Sequence, residues 1–210
     1  MDLTSSPSVE IMRFVETQIL PRYTHFDKAH NLTHVNSVIK RSVDMARQMG
    51  ADINMAYVIA AYHDLGLEGP RAIHHLTSRR ILSSDARLCK WFTPEQIRIM
   101  SEAVEDHRAS ASHAPRSLYG KIVAEADRDI TTDNVIRRTI QFGKSNHSEL
   151  SREQQWQRFR QHMESKYSRN GYIKLWLHGT ENERNLNTLR QIIDNPAQLK
   201  AHFDRIYDTI

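Results

Sequence analysis

One short stretch decides the fold of this chain, and it reads Ala60-Ala61-Tyr62-His63-Asp64-Leu65-Gly66-Leu67. The residues from 53 to 61 are apolar on nearly all sides, which is typical of a helix buried inside a helical bundle. His63 and Asp64 follow at the tip of this core helix, where burying an unpaired charge is costly. A cation held by both side chains would offset that cost, so the stretch indicates a buried metal site. Gly66 is expected to stop the helix and so to fix where the two side chains point.

The composition favours an all-α protein with a substantial hydrophobic core. The chain has 210 residues, of which 39% are hydrophobic, with only 7 glycines and 6 prolines. This length suits one good-sized domain, and the thin spread of β-branched residues favours helices. The single cysteine, Cys89, excludes both an internal disulfide and a thiolate metal cluster.

Neither the amino terminus nor the charge predicts a membrane or nucleic-acid partner. Residues 1–10 show no basic region followed by an apolar core, so we expect no secretory signal. Because no apolar run approaches the roughly 18 residues of a membrane span, we expect a cytoplasmic protein. The net charge of +4 is a mild bias that favours anionic small molecules over nucleic acid.

Apolar residues recur at helical spacing along most of the chain, between caps and breakers. The segments predicted to be helical are 9–20, 32–49, 53–61, 70–83, 94–107, 118–130, 134–142, 156–167, 186–193 and 197–207. Residues 172–177 are compatible with a short strand or a helix. The apolar stripe of 156–167 could pack within the chain or form a homodimer contact. Without repeats or a convincing linker, the simplest account is a single all-α domain over residues 1–210.

Four residues combine the chemistry of metal ligands with a predicted position facing the core. They are His34 in the first turn of its helix, the adjacent His63 and Asp64, and Asp127 beside an apolar stripe. Imidazole nitrogens and carboxylate oxygens suit zinc, manganese, iron, nickel, cobalt or magnesium, and no sulfur ligand narrows the choice. The spacing of these residues alone does not show that they bind a metal. The chain has 12 histidines, and a histidine on an apolar face is more often a hydrogen-bonded core residue than a ligand.

The same residues resemble the H…HD…D signature of the HD-domain superfamily of metal-dependent phosphohydrolases. The matching elements are His34, Tyr62-His63-Asp64-Leu65-Gly66 and Ala124-Glu125-Ala126-Asp127-Arg128-Asp129. Residues 29–35 are similar to the opening segment of these domains, and His74 and His107 fall where the family places similar residues. The resemblance covers about residues 25–130. It implies a helical-bundle HD core there. The helical spacing of apolar residues predicts a C-terminal helical extension over about 131–210.

The resemblance implies that His34, His63, Asp64 and Asp127 bind one divalent metal ion. Such an ion lowers the pKa of a bound water, which can then attack phosphorus. Asp64 would hold the ion with one oxygen and orient the water with the other. Glu68 is a candidate for protonating the leaving group, with a surface carboxylate as the alternative interpretation.

The roles of His74 and His107 stay open between substrate contact and a second metal ion. We favour phosphate contact or support of the metal ligands, because a site for one ion is complete without these two histidines. A second metal is the alternative, since some related proteins with extra histidines hold two. Arg71 and Arg108 are candidate phosphate clamps, although each alone could be a solvent-facing charge.

These residues together predict hydrolysis of a phosphoester or phosphoanhydride in a small molecule, with a nucleotide as the favoured substrate. One alternative is an HD-type oxygenase with a di-iron centre, which would need both His74 and His107 as ligands. Another is a non-catalytic, nucleotide-binding regulatory module. The sequence does not identify the substrate, because specificity depends on pocket residues that only the fold can place.

Overall fold

The structure is a computed structural model that describes residues 6–27, 30–108 and 113–210. Within these ranges the chain forms ten α-helices and no strand, which confirms the predicted all-α fold. The helices are α1 (Val9–Gln18), α2 (Leu32–Gln48), α3 (Ile53–Tyr62), α4 (His74–Ser83), α5 (Pro94–Asp106), α6 (Leu118–Ala126), α7 (Thr132–Asn146), α8 (Arg152–Tyr167), α9 (Glu181–Ile193) and α10 (Pro196–Tyr207). Short 3₁₀ helices lie at Leu20–His25, Leu65–Glu68, Arg71–Ile73 and Ala86–Lys90. None of the described helices has the length and apolar character needed to cross a bilayer.

The chain divides into two compact units, Met1–Asp127 and Arg128–Ile210. Helices α1 to α6 belong to the first unit and α7 to α10 to the second. Each unit buries apolar side chains of its own. The single domain expected over residues 1–210 therefore stays a prediction.

Helix α3 is the central element of the first unit. Every residue of α3 except Asn54 is buried, as its apolar composition predicts. Asp52 caps the helix by accepting hydrogen bonds from the backbone N–H groups of Asn54 and Met55. Helices α2, α5 and α6 all pack against α3. A helix enclosed in this way holds its C-terminal end, and the residues that follow, in a fixed position.

Gly66 does not provide the helix stop that the sequence suggested. Helix α3 already ends at Tyr62, and Gly66 lies inside the 3₁₀ helix Leu65–Glu68. Its missing side chain serves a close approach to α4 instead. A Cβ atom at position 66 would lie 2.0 Å from the carbonyl oxygen of His74 and 2.7 Å from the backbone nitrogen of Ser78. The N–H of Gly66 donates to Oγ of Ser78 at 2.8 Å, which closes this contact.

The second unit is built around an aromatic cluster. The ring centroids of Trp156, Phe159 and Phe203 lie 5.1 to 5.8 Å apart, distances at which aromatic pairs attract beyond their buried area. Phe159 and Met163 are fully buried. The stripe on α8 thus packs within its own unit, and a homodimer contact through it would require this core to open.

Residues 172–177 form neither of the two predicted structures. Outside the bend at Tyr172 the segment has no regular secondary structure. The N–H groups of Tyr172 and Ile173 donate to carbonyl oxygens at the end of α8, at 3.2 and 3.1 Å. The side chains of Ile173 and Leu177 are buried. The segment is therefore held by hydrogen bonds to α8 and by the buried side chains of Ile173 and Leu177, and not by hydrogen bonds of a strand or helix of its own.

Gly66→Ala is expected to destabilise the protein, because the added methyl group overlaps the backbone of α4. Overpacking of this kind costs about 1 to 3 kcal/mol in the free energy of unfolding. Denaturant unfolding measures the change. Gly69→Ala is the matched control, since a Cβ there meets only the carbonyl oxygen of Gly66 at an ordinary 3.6 Å. Equal stabilities of the two variants would contradict the close-approach role of Gly66.

Candidate metal centre

The ends of five helices of the first unit bring together six possible metal ligands. His34 lies in the first turn of α2, and His74 is the first residue of α4. His63, His107 and Asp127 occupy the C-cap positions of α3, α5 and α6, and Asp64 follows His63 directly. Three helix C-termini, the negative ends of their dipoles, lie at this place together with two N-termini, the positive ends of α2 and α4, so the dipoles largely offset one another.

The four ligands predicted from the sequence come together in the structure. Donor atoms of His34, His63 and Asp127 all lie within 4.8 Å of one another. Nε2 of His34 is 3.2 Å from Nε2 of His63 and 3.2 Å from Oδ1 of Asp127. Oδ2 of Asp64 lies 3.1 Å from Nε2 of His63 and 3.6 Å from Nε2 of His34. This set is called cluster 1 below.

His74 and His107 form a second group with the same aspartate. Their Nε2 atoms are 3.1 Å apart. Oδ1 of Asp64 lies 3.6 Å from Nε2 of His74 and 3.5 Å from Nε2 of His107, and the three donors lie within 4.8 Å of one another. This set is called cluster 2. Asp64 thus directs one carboxylate oxygen to each cluster.

Backbone carbonyl groups fix the orientation of three of the histidines. In His63, His74 and His107, Nδ1 lies within hydrogen-bonding distance of the carbonyl oxygen three residues earlier, at 2.7, 2.8 and 2.5 Å respectively. Because a carbonyl oxygen can only accept, Nδ1 carries the proton, and Nε2 of the neutral ring presents a lone pair. Two such lone pairs about 3 Å apart repel each other unless positive charge lies between them. The arrangement is the one that metal-binding histidines adopt.

The electrostatics of the two clusters also fit a cation. Burial raises the pKa of the Asp64 and Asp127 carboxyls, but the neighbouring histidines outweigh it and hold both pKa values well below their usual range. Burial lowers the pKa of His34 and His63, whereas the two carboxylates raise it above its ordinary value. Protons and metal ions compete for the same lone pairs. Ionised carboxylates and imidazole nitrogens are a donor set that suits a divalent metal ion.

Two residues that the sequence did not single out support the backbone of the candidate ligands. The buried hydroxyl of Tyr23 donates to the carbonyl oxygen of Ala61 at 3.0 Å and accepts from the N–H of Asp64 at 3.3 Å. Arg41 donates from Nε to the carbonyl oxygen of Ala126, at 2.7 Å, beside Asp127. Helical periodicity could place Arg41 on α2, but no local signal links either residue to a partner so distant in the chain.

Glu68 belongs to neither cluster. Arg22 donates to both of its carboxylate oxygens, from Nε and Nη2, at 2.6 Å each. The hydrogen bonds to Arg22 lower the pKa of Glu68, which keeps the carboxylate ionised. A general acid must carry a proton, so the structure favours the surface carboxylate over the proton donor for this residue.

The two candidate phosphate clamps are both engaged with protein groups. Nη1 of Arg71 lies 3.3 Å from Oδ2 of Asp27, and its side chain remains 68% exposed. Arg108 donates to the carbonyl oxygen of Ala72 at 2.5 Å. Because Ala72 precedes His74 by two residues and Arg108 follows His107, this bond ties together the two chain segments that carry cluster 2.

The comparisons with known proteins agree with the motif. The family model of the HD domain matches residues 31–131, a segment that contains both clusters. A crystal structure of a predicted HD superfamily hydrolase from an uncultured Thermotogales bacterium is similar over 100% of this chain and 98% of that protein, with a TM-score of 0.54 and 19% sequence identity. At this identity the likeness shows the fold alone. No curated protein matches the chain at a significant level.

The family match, the H…HD…D motif and the meeting of its four residues in cluster 1 all point to one assignment. Residues 31–131 are an HD domain.

Proposed function

We propose that this protein is a metal-dependent phosphohydrolase that holds two divalent ions and cleaves a phosphoester or phosphoanhydride of a small molecule. The observation that carries the proposal is the position of Asp64, whose two oxygens each face a separate group of donors. His34, His63 and Asp127 would hold one ion and His74 and His107 the other, with Asp64 shared. This proposal adds a second ion to the site for a single ion that the sequence favoured.

The number of donors leaves room for substrate at both ions. Cluster 2 offers three protein donors. Catalytic metal sites typically combine about this number of protein ligands with positions open to water or substrate. When bound, divalent ions lower the pKa of a water ligand and neutralise the charge on phosphate oxygens. The protein contributes three imidazoles held by backbone carbonyls, those of His63, His74 and His107. His63 and His107 are buried as well, so little reorganisation is needed when charge develops.

A phosphorylated small molecule, and a nucleotide in particular, is the substrate we propose. The net charge of +4 favours anions. Arg71 lies three residues before His74, and its own carbonyl oxygen holds the imidazole of that residue. Its exposed guanidinium lies 3.3 Å from Asp27 and 3.4 Å from Nε2 of His30. A phosphate group could replace this surface ion pair, which is worth little. The similar crystal structure is that of a predicted hydrolase, which is consistent with this reaction class.

A di-iron oxygenase is the second candidate. That chemistry requires both His74 and His107 as ligands, and the two Nε2 atoms do lie 3.1 Å apart beside Asp64. Metal identity separates the candidates. Two irons per chain together with oxygen consumption, and no phosphate release, would favour the oxygenase.

The number of metal ions bound per chain should depend on which of the two clusters is intact. Elemental analysis of manganese-loaded protein is expected to give about two ions per chain, since catalytic two-metal sites hold a pair. Asp127→Ala should lose the ion of cluster 1 and His107→Ala that of cluster 2, whereas Asp64→Ala should lose both. His25→Ala, which changes an exposed histidine of the same unit, is the control. One ion in the wild type, unaffected by His107→Ala, would refute the two-ion site.

Phosphate release is expected to depend on bound metal. A chelator should abolish release from a panel of nucleotides and sugar phosphates, and added Mn²⁺, Zn²⁺ or Mg²⁺ should restore it. Asp64→Asn should lower kcat by about 100-fold or more, because the shared carboxylate loses an anionic oxygen. A folded, metal-loaded protein that releases no phosphate from any compound of the panel would overturn the proposed activity.

Glu68→Gln should leave kcat within about twofold of the wild type, since the carboxylate is held by Arg22 and belongs to neither cluster. The pH profile of kcat should likewise be unchanged. Loss of the basic or acidic limb of that profile in Glu68→Gln would instead restore Glu68 as the proton donor.

A further inference from the structure

A pocket in the second unit offers a set of positive charges outside the HD domain. It has a volume of about 420 Å³, within the range of about 300 to 1,000 Å³ typical of small-molecule sites. Its lining includes Arg169, Lys174 and Arg190, together with Trp176. All of these residues lie beyond residue 131, where the HD match ends. The pocket therefore belongs to a part of the chain to which the metal chemistry assigns no role.

Positive charge exceeds negative charge in the lining. Arg169 forms an ion pair with Asp194, with 3.1 Å between Nε of Arg169 and Oδ2 of Asp194. Glu183 is an acidic residue of the lining, and its carboxylate already accepts from the N–H of Gly179 at 2.7 Å and lies 3.1 Å from Nδ1 of His178. Lys174 and Arg190 thus remain as cations for a ligand. An anion is the complementary partner of such a pocket.

Arg190 gives the most specific indication. Its Nε is buried and has no hydrogen-bond partner among the described residues. A buried donor of a charged group without an acceptor is unfavourable and rare in folded proteins. Because protein atoms enclose Nε, an acceptor oxygen on a ligand would satisfy it only after the Arg190 side chain turned toward the pocket that it lines. Guanidinium groups match phosphate oxygens in geometry, which makes arginine the usual residue for binding them.

We propose that this pocket binds a phosphorylated small molecule at a site of its own, distinct from the metal centre. Arg190 would donate to phosphate oxygens from inside the pocket, and Lys174 and Arg169 would add charge from its exposed edge. The pocket is assigned from its own residues and does not depend on the proposed hydrolase activity.

Tryptophan fluorescence tests the proposal with inorganic pyrophosphate and ADP as probes. The titrations use the full chain with EDTA present, so that the metal centre takes no part. A saturable change in fluorescence, with a Kd of about 1 mM or tighter for either probe, is expected. Trp176→Phe should remove the signal, because the other two tryptophans, Trp91 and Trp156, are not in the lining. No saturable change with either probe would overturn the proposal.

Charge variants decide whether the pocket is responsible for binding. Arg190→Ala and Lys174→Ala should each weaken the Kd by about tenfold or more. Arg184→Ala is the matched control, since Arg184 is exposed on the same helix, α9, and donates to the carbonyl oxygen of Gly179. Its Kd should stay within about twofold of the wild type. Equal weakening in all three variants would show a general effect of net charge and would refute the site. Because Lys174 is exposed, its variant keeps the test valid even if Arg190→Ala unfolds.

Discussion

The carboxylate of Asp64 is the constraint on which the rest of the first unit depends. One oxygen faces His34 and His63, and the other faces His74 and His107. Four imidazoles around one buried carboxylate would be hard to accommodate as an ordinary ion-pair network, because burying charges is costly and the facing lone pairs repel. A divalent cation would resolve both difficulties at once. Metal binding would then be part of the folding free energy of this unit.

The architecture of the first unit serves this arrangement of donors. Helix α3 is enclosed by α2, α5 and α6, so its C-terminal end cannot shift without loss of buried contacts. Residues at three helix C-termini and two helix N-termini direct their side chains to one place. Tyr23 and Arg41 fix the backbone next to Asp64 and Asp127. Each donor is thus held by the fold rather than by the ion alone.

The close approach of α4 to Gly66 helps to place His74 beside Asp64. Asp64 lies two residues before Gly66, and the carbonyl oxygen of His74 lies where a Cβ at Gly66 would be. Without a side chain at this position, α4 can pack against the turn that follows Asp64. This packing brings His74 within 3.6 Å of the aspartate. A backbone contact therefore contributes to the geometry of cluster 2, which links a packing requirement to the candidate chemistry.

The amino-acid sequence by itself determined the all-α fold, the buried helix α3 and the positions of His34, His63, Asp64 and Asp127. Periodicity and composition report which residues face a core, and the family motif reports which of them carry donor atoms. These are local properties of the chain, or properties of a motif with known spacing.

Only the tertiary structure decided the pairing of residues that are distant in the chain. It grouped His74 with His107 beside Asp64 and engaged Glu68 with Arg22, 46 residues away. It also gave Gly66 a packing role and left 172–177 without regular structure. Periodicity gives the face of a helix on which a side chain lies, but not which other helix meets that face. The packing of whole helices determines that, and with it whether a histidine supports a ligand or joins a second group of donors.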